Sequence, residues 1–72
     1  MNELKIKYYN YIKNVVKYLR KNYNLDIKTI NMILDSTNIY NIYTKGPNLL
    51  LNNPVENTSK ELYLYYRKKI LK

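Results

Sequence analysis

The helix breakers of this chain are confined to one short window. Its single glycine is Gly46 and its two prolines are Pro47 and Pro54. Nothing outside positions 46–54 therefore interrupts a helix, which leaves two helical stretches before the break and one after it. The pattern predicts an all-α fold, a small three-helix domain with helices at about 2–23, 27–43 and 54–71. One domain spans residues 1–72, because a core this small supplies only a few kcal/mol and has no room to divide.

The first helix is the clearest. Leu4, Tyr8, Tyr11, Ile12, Val15, Leu19 and Tyr23 recur at three- and four-residue steps and form one face. At about 100° per residue, Lys13, Lys17, Arg20 and Lys21 fall on the opposite arc, with Lys7 at its edge. Asn22–Asp26 reads as a turn in which Asn24 or Asp26 is the N-cap. In the second helix Ile27, Ile30, Ile33, Leu34 and Thr37 share a face, followed by Tyr40. Asp35-Ser36-Thr37-Asn38 is its weak point, since each of these side chains competes with helical hydrogen bonding. One continuous helix is expected there, with a two-helix version as the alternative.

At the break, Lys45 lies in a last turn, Gly46 is placed for a left-handed cap and Pro47 prevents continuation. Leu49-Leu50-Leu51 is then expected as an extended connector that must be covered, by the chain's own helices or by a second subunit. The third helix has two candidate starts. Asn53-Pro54-Val55-Glu56 offers an N-cap with Pro at the first helical position, and Thr58-Ser59-Lys60-Glu61 offers a capping box one turn later. Leu62, Tyr63, Tyr66 and Ile70 share a face with Val55, whereas Leu64 and Leu71 make a separate stripe. Leu49, Leu50, Leu51, Leu64 and Leu71 are accordingly the candidate interaction surface, and a homo-oligomer is expected.

Composition excludes several classes. With no Cys and no His there is no disulfide framework, no thiolate nucleophile and no zinc finger, and no metal or other cofactor is expected. The five acids are Glu3, Asp26, Asp35, Glu56 and Glu61. All but Asp35 fall at expected helix starts or caps, where an anion already has a structural role. A single Asp makes no acid–base dyad, and one glycine makes no phosphate loop. No catalytic residue is expected. Asn57-Thr58-Ser59 matches a glycosylation acceptor, but without a secretory leader the match carries little weight. No apolar run approaches the roughly 18 residues of a spanning helix, and the expectation is a soluble, cytoplasmic protein with no transmembrane segment.

Charge is more informative. The chain has 13 Lys plus Arg against five Asp plus Glu, a net of +8. Residues 1–21 contribute +5 and residues 60–72 contribute +4, while residues 22–59 contribute −1. The positive charge thus belongs to the first and last helices. If these lie side by side, Lys13, Lys17, Arg20, Lys21, Arg67 and Lys68 join in one surface that attracts phosphates by releasing counterions. A solvated face in a Lys-rich chain explains part of this, and cations at a helix C-terminus are favoured by the dipole. The near absence of acids on the same arcs favours polyanion binding over the mixed-sign surface of an ordinary helix. The ten Tyr, with no Phe or Trp, point to a core of half-buried rings. Tyr9, Tyr18 and Tyr65 are placed to stack on bases or to pack beside the patch, and packing is favoured.

One order of features resembles a known family. Asp26 opening a helix, Ile30, Leu34, Tyr40 and Tyr43 along it, Gly46, a short spacer and Asn53-Pro54 before a basic helix is similar to the small terminase subunit of tailed phages. The likeness covers residues 26–70, and it departs from the family in ending at Lys72. It implies helical protomers that assemble into rings, bind DNA and regulate a catalytic large subunit, with no catalytic residue to carry over. The leading expectation is a non-enzymatic phage- or plasmid-type DNA-binding protein, a packaging accessory by resemblance. The alternative is a small phage-encoded inhibitor that binds a host protein or defence complex of the anti-CRISPR or anti-restriction type. A helix at Asn2–Tyr23 lying on an anionic membrane is a third option.

Overall fold

The computed structural model describes residues 3–71. Among these the chain is all-α, with no strand. It forms α1 (Glu3–Tyr23), α2 (Ile27–Thr37), α3 (Ile39–Lys45), α4 (Pro47–Leu51) and α5 (Val55–Tyr65), and α5 runs on into a π-helical turn, Tyr66–Leu71. Five α-helices therefore replace the three expected. The expected helix starting point at Asn2 lies outside the described residues.

α1 is the spine, and α5 is its principal partner, with α2 and α4 packed along it too. The expected face is the one it buries: Tyr8, Tyr11, Val15 and Leu19 are buried and Ile12 and Tyr23 partly so. Leu4, at 38% exposure, is outside the core. Ile30 and Ile33 of α2, Ile39 and Tyr43 of α3, Leu50 of α4 and Leu62 of α5 complete it. Full burial of each aliphatic side chain contributes about 1.5–3 kcal/mol.

Local chemistry explains the first boundaries. Asn24 takes a left-handed conformation (φ 55°) just after α1, a region that Asn tolerates better than most residues. Asp26 is the realised N-cap, its Oδ1 accepting from the Thr29 N–H at 2.8 Å. The weak point in the second helix is a true break. Thr37 Oγ1 donates back to the Ile33 carbonyl at 2.9 Å, and Asn38 turns left-handed at φ 51°. That single residue ends α2 and starts α3.

The expectations around the break need correction. Gly46 is not left-handed, having φ −151°. A Cβ there would come within 3.1 Å of Leu49 Cδ1, so the glycine makes room for a side chain. Pro47 does not merely stop a helix; it takes the first position of α4, where its fixed φ fits and its missing N–H is not needed. The Leu triplet is therefore helical rather than extended, and successive residues about 100° apart reach different environments. Leu50 is buried, Leu51 half-buried and Leu49 83% exposed. α5 begins one residue later than the sequence suggests: Pro54 occupies the N-cap with no side-chain cap bond. Thr58 and Ser59 are not a second start but buried residues inside the helix.

Asn53 and Thr58 have a different task. The Tyr11 hydroxyl donates to the Asn53 carbonyl at 2.6 Å. Its one proton thus committed, it accepts from Thr58 Oγ1, also at 2.6 Å. Thr58 Oγ1 in turn accepts from Asn53 Nδ2 at 2.9 Å. Both hydroxyl protons in this triangle have a destination, and it pins the α4–α5 turn to the middle of α1. Burial is the main cause that raises the Tyr11 phenol above its ordinary pKa; the Thr58 hydrogen bond opposes it and the charge of Glu61 adds to it. Burial likewise raises Tyr8.

Three outcomes follow from this packing. Tyr11→Phe leaves the Asn53 carbonyl and Thr58 hydroxyl short of a partner and is expected to destabilise by about 1–3 kcal/mol in urea unfolding. Ser59 Oγ is buried with no hydrogen-bond partner, so Ser59→Ala is expected to raise stability by roughly 1 kcal/mol in the same assay. The Thr29 side chain, then its N–H, hold the Asp26 carboxyl below its ordinary pKa, and Lys28 adds to this. The unfolded state then binds more protons in acid. The stability due to Asp26 is complete above the unfolded carboxylate value near ~4 and is lost as pH falls through the lower folded one. Asp26→Asn should flatten that acid limb of a thermal-midpoint titration.

Candidate nucleic-acid interface

The outer arc of α1 carries Lys13, Lys17, Arg20 and Lys21, all exposed. The structure gathers three of them. Lys17 and, one helical turn further along α1, Arg20 and Lys21 border one shallow, widely open cleft of about 500 Å³. Lys17 and Lys21 also line a second, of about 490 Å³, with Asn14, Tyr18, Asn22 and Val55. The last of these comes from the first turn of α5, so the cationic stretch of α1 runs past the start of that helix. Lys13 lies one turn earlier on α1 and borders neither cleft. Lys7 is elsewhere, beside Leu4, Asn10, Asn48, Leu51 and Asn52.

A chain of aromatic rings connects α1 to Arg67. Tyr18 lies 6.2 Å from Tyr23, and Tyr23 stacks on Tyr63 of α5 at 4.3 Å and 17°. The Arg67 guanidinium sits 5.9 Å from the centre of the Tyr63 ring and donates to the Tyr63 hydroxyl at 3.2 Å. Tyr66 continues the cluster. Tyrosine suits this position because its ring packs while its hydroxyl keeps a polar partner at the surface. Arg67 is therefore tied to the end of α1 that bears Lys17, Arg20 and Lys21. Lys68 is exposed in the π-helical turn.

Every described Lys and Arg is exposed. Among the described residues, no Lys or Arg lies within 4.0 Å of an Asp or Glu oxygen. Like charges at i, i+4, as at Lys17 and Lys21, oppose the helix by a few tenths of a kcal/mol. Arg20 and Lys21 lie in the last turn of α1, where the helix dipole repays part of that cost. Lys13 and Lys17 have no such compensation.

The other tyrosines have packing roles. Tyr8 is 4.3 Å from Tyr43 and meets Tyr40 edge-on at 5.4 Å, with Tyr9 beside it. Tyr65 donates to the Ser36 carbonyl at 3.4 Å. Tyr18 both packs and lines a cleft. Of the expected interaction surface, Leu50 is core and Leu51 half-buried, whereas Leu49, Leu64 and Leu71 are exposed. Leu49 and Ile42 border a cleft of about 190 Å³ with Leu50, Leu62 and Glu61. Leu50 faces inward from α4 and reaches that cleft only as part of its floor, so of the Leu triplet Leu49 is the residue presented outward.

Asn14, Asn22 and Val55 were not singled out from the sequence. The signal was present: 14, 17, 18, 21 and 22 follow a helical period on one face, but none is apolar except the Tyr ring, so a hydrophobic reading passes over them. Among the described residues no group of three or more His, Cys, Asp or Glu is disposed to hold a metal, and no helix is long and apolar enough to cross a membrane. No family model matches the chain, and no curated protein or solved structure matches it.

Proposed function

We propose that this is a non-enzymatic nucleic-acid-binding protein that grips DNA phosphates with the outer face of α1. Lys17, Arg20 and Lys21 are the central contacts, Lys13 extends them along the helix, and Arg67 and Lys68 flank them. One observation carries the reading: Lys17, Arg20 and Lys21 stand together around adjoining open clefts, and among the described residues no carboxylate is paired to them or to Lys13, Arg67 or Lys68. Such a surface keeps its full attraction for polyanions, and its affinity falls as salt competes. A packaging accessory of the small-terminase kind is the narrower form of the proposal, supported by the order Asp26, Gly46, Asn53-Pro54 alone. Self-association through the exposed Leu64 and Leu71 belongs to that same narrower form.

A second reading, an inhibitor that docks on a host protein, draws on Leu49 at 83% exposure beside Ile42. Leu49→Asp separates the two, since it should abolish nuclease-resistant capture of a specific protein and leave DNA binding intact.

The leading proposal is tested by titrating duplex DNA across salt. With four to six phosphate contacts, log K should fall against log salt with a slope of about −4 to −5. The Lys17→Gln/Arg20→Gln/Lys21→Gln variant should make that slope shallower by about 2–3. A wild-type slope near zero removes the mechanism.

A further inference from the structure

The strip Asn14–Tyr18–Asn22 has a chemistry that phosphate binding alone does not use. Its cleft of about 490 Å³ combines one aromatic ring, one aliphatic side chain (Val55), two amides and two lysines. We infer that this cleft seats an unstacked nucleobase on Tyr18, so that the protein binds single-stranded nucleic acid in preference to duplex. The inference rests on the reading of α1 as a nucleic-acid surface and names its ligand more closely.

Three features support a base rather than another flat group. Tyr18 is half-buried, and its ring lies 6.2 Å from, and tilted by 52° to, that of Tyr23, which itself stacks on Tyr63, so part of its rotamer freedom is already spent before a ligand arrives. Asn14 and Asn22 lie one turn either side of it, and each amide carries both a donor and an acceptor, which matches the mixed edge of any base. Asn22 already uses one N–H on the Tyr18 carbonyl at 3.2 Å, whereas the Asn14 amide makes no hydrogen bond among the described residues. Lys17 and Lys21 border this cleft and, with Arg20, the adjoining one. A strand with one base in the first cleft therefore has its neighbouring phosphates beside the three cations. Pairing and stacking within a duplex keep the base face away from Tyr18, so only a single strand uses both parts. This is the combination of cationic groove and stacking ring by which sequence-tolerant single-strand binders work.

The test compares three labelled ligands of equal length at one salt concentration: oligothymidylate, a base-free deoxyribose-phosphate strand, and a duplex. Wild-type protein is expected to bind oligothymidylate roughly tenfold more tightly than either of the others, and to shift the thymine methyl resonances upfield by ring current. Tyr18→Ala should erase that preference while leaving affinity for the base-free strand within about twofold, and Tyr18→Phe should keep it. Equal affinity of wild-type protein for oligothymidylate and the base-free strand overturns the base seat and leaves the electrostatic reading standing. Equal losses for both strands on Tyr18→Ala also overturn it. No binding to any of the three overturns both. The wild-type comparison and the methyl shifts decide the matter even if Tyr18→Ala does not fold.

Discussion

The seating of the break region on α1 depends on a hydrogen-bonded triangle between Tyr11, Asn53 and Thr58. A chain of this size has a thin core, and its helices α2 to α4 are short enough to be marginal alone. What fixes the break region is the Tyr11 hydroxyl, reaching from the middle of α1 to the Asn53 carbonyl and to Thr58. Because Asn53 lies just before α5 and Thr58 within its first turns, the triangle fastens the start of the principal partner of α1 against the middle of α1. A phenylalanine core would bury as much area and would lack this register.

Much of the architecture could be read from residue types and spacing. The buried face of α1 is written in its three- and four-residue steps, Asp26 caps α2 as its position suggests, and the Asp35–Asn38 segment shows its weakness in composition. What escaped are decisions made by tertiary contacts. Thr58 reads as a helix start, but the need of Tyr11 for a partner places it inside α5. Pro47 reads as a stop, and the same fixed φ serves as a start once the Gly46 carbonyl receives the Leu50 N–H at 3.3 Å. Leu49, Leu50 and Leu51 are chemically identical, and only the helical rotation separates the buried one from the exposed one.

The candidate site was legible in part for the same reason. Charge can be counted along a chain, so Lys17, Arg20 and Lys21 stand out. Their neighbours Asn14 and Asn22 are polar residues in an Asn-rich sequence, and Val55 comes from another helix. The Tyr23–Tyr63 stack that draws Arg67 toward α1 depends on how α1 and α5 cross, which no single-helix pattern contains. Tyrosine's abundance masks the difference between rings that fill the core, such as Tyr8 and Tyr43, and one that borders solvent, such as Tyr18.

The lack of cation–carboxylate pairs among the described residues has a consequence for how ionic conditions act on the molecule. Lys17, Arg20 and Lys21 repel one another along one face of α1, and dissolved ions shield that repulsion within a Debye length. The same ions compete for any phosphate strand laid along α1. On the proposed reading, raising ionic strength pushes in two directions at once, relieving the repulsion in the empty protein while weakening the attraction for a polyanion. A strand bound as proposed would do for α1 what concentrated salt does, so that occupancy and thermal resistance would rise together in dilute buffer.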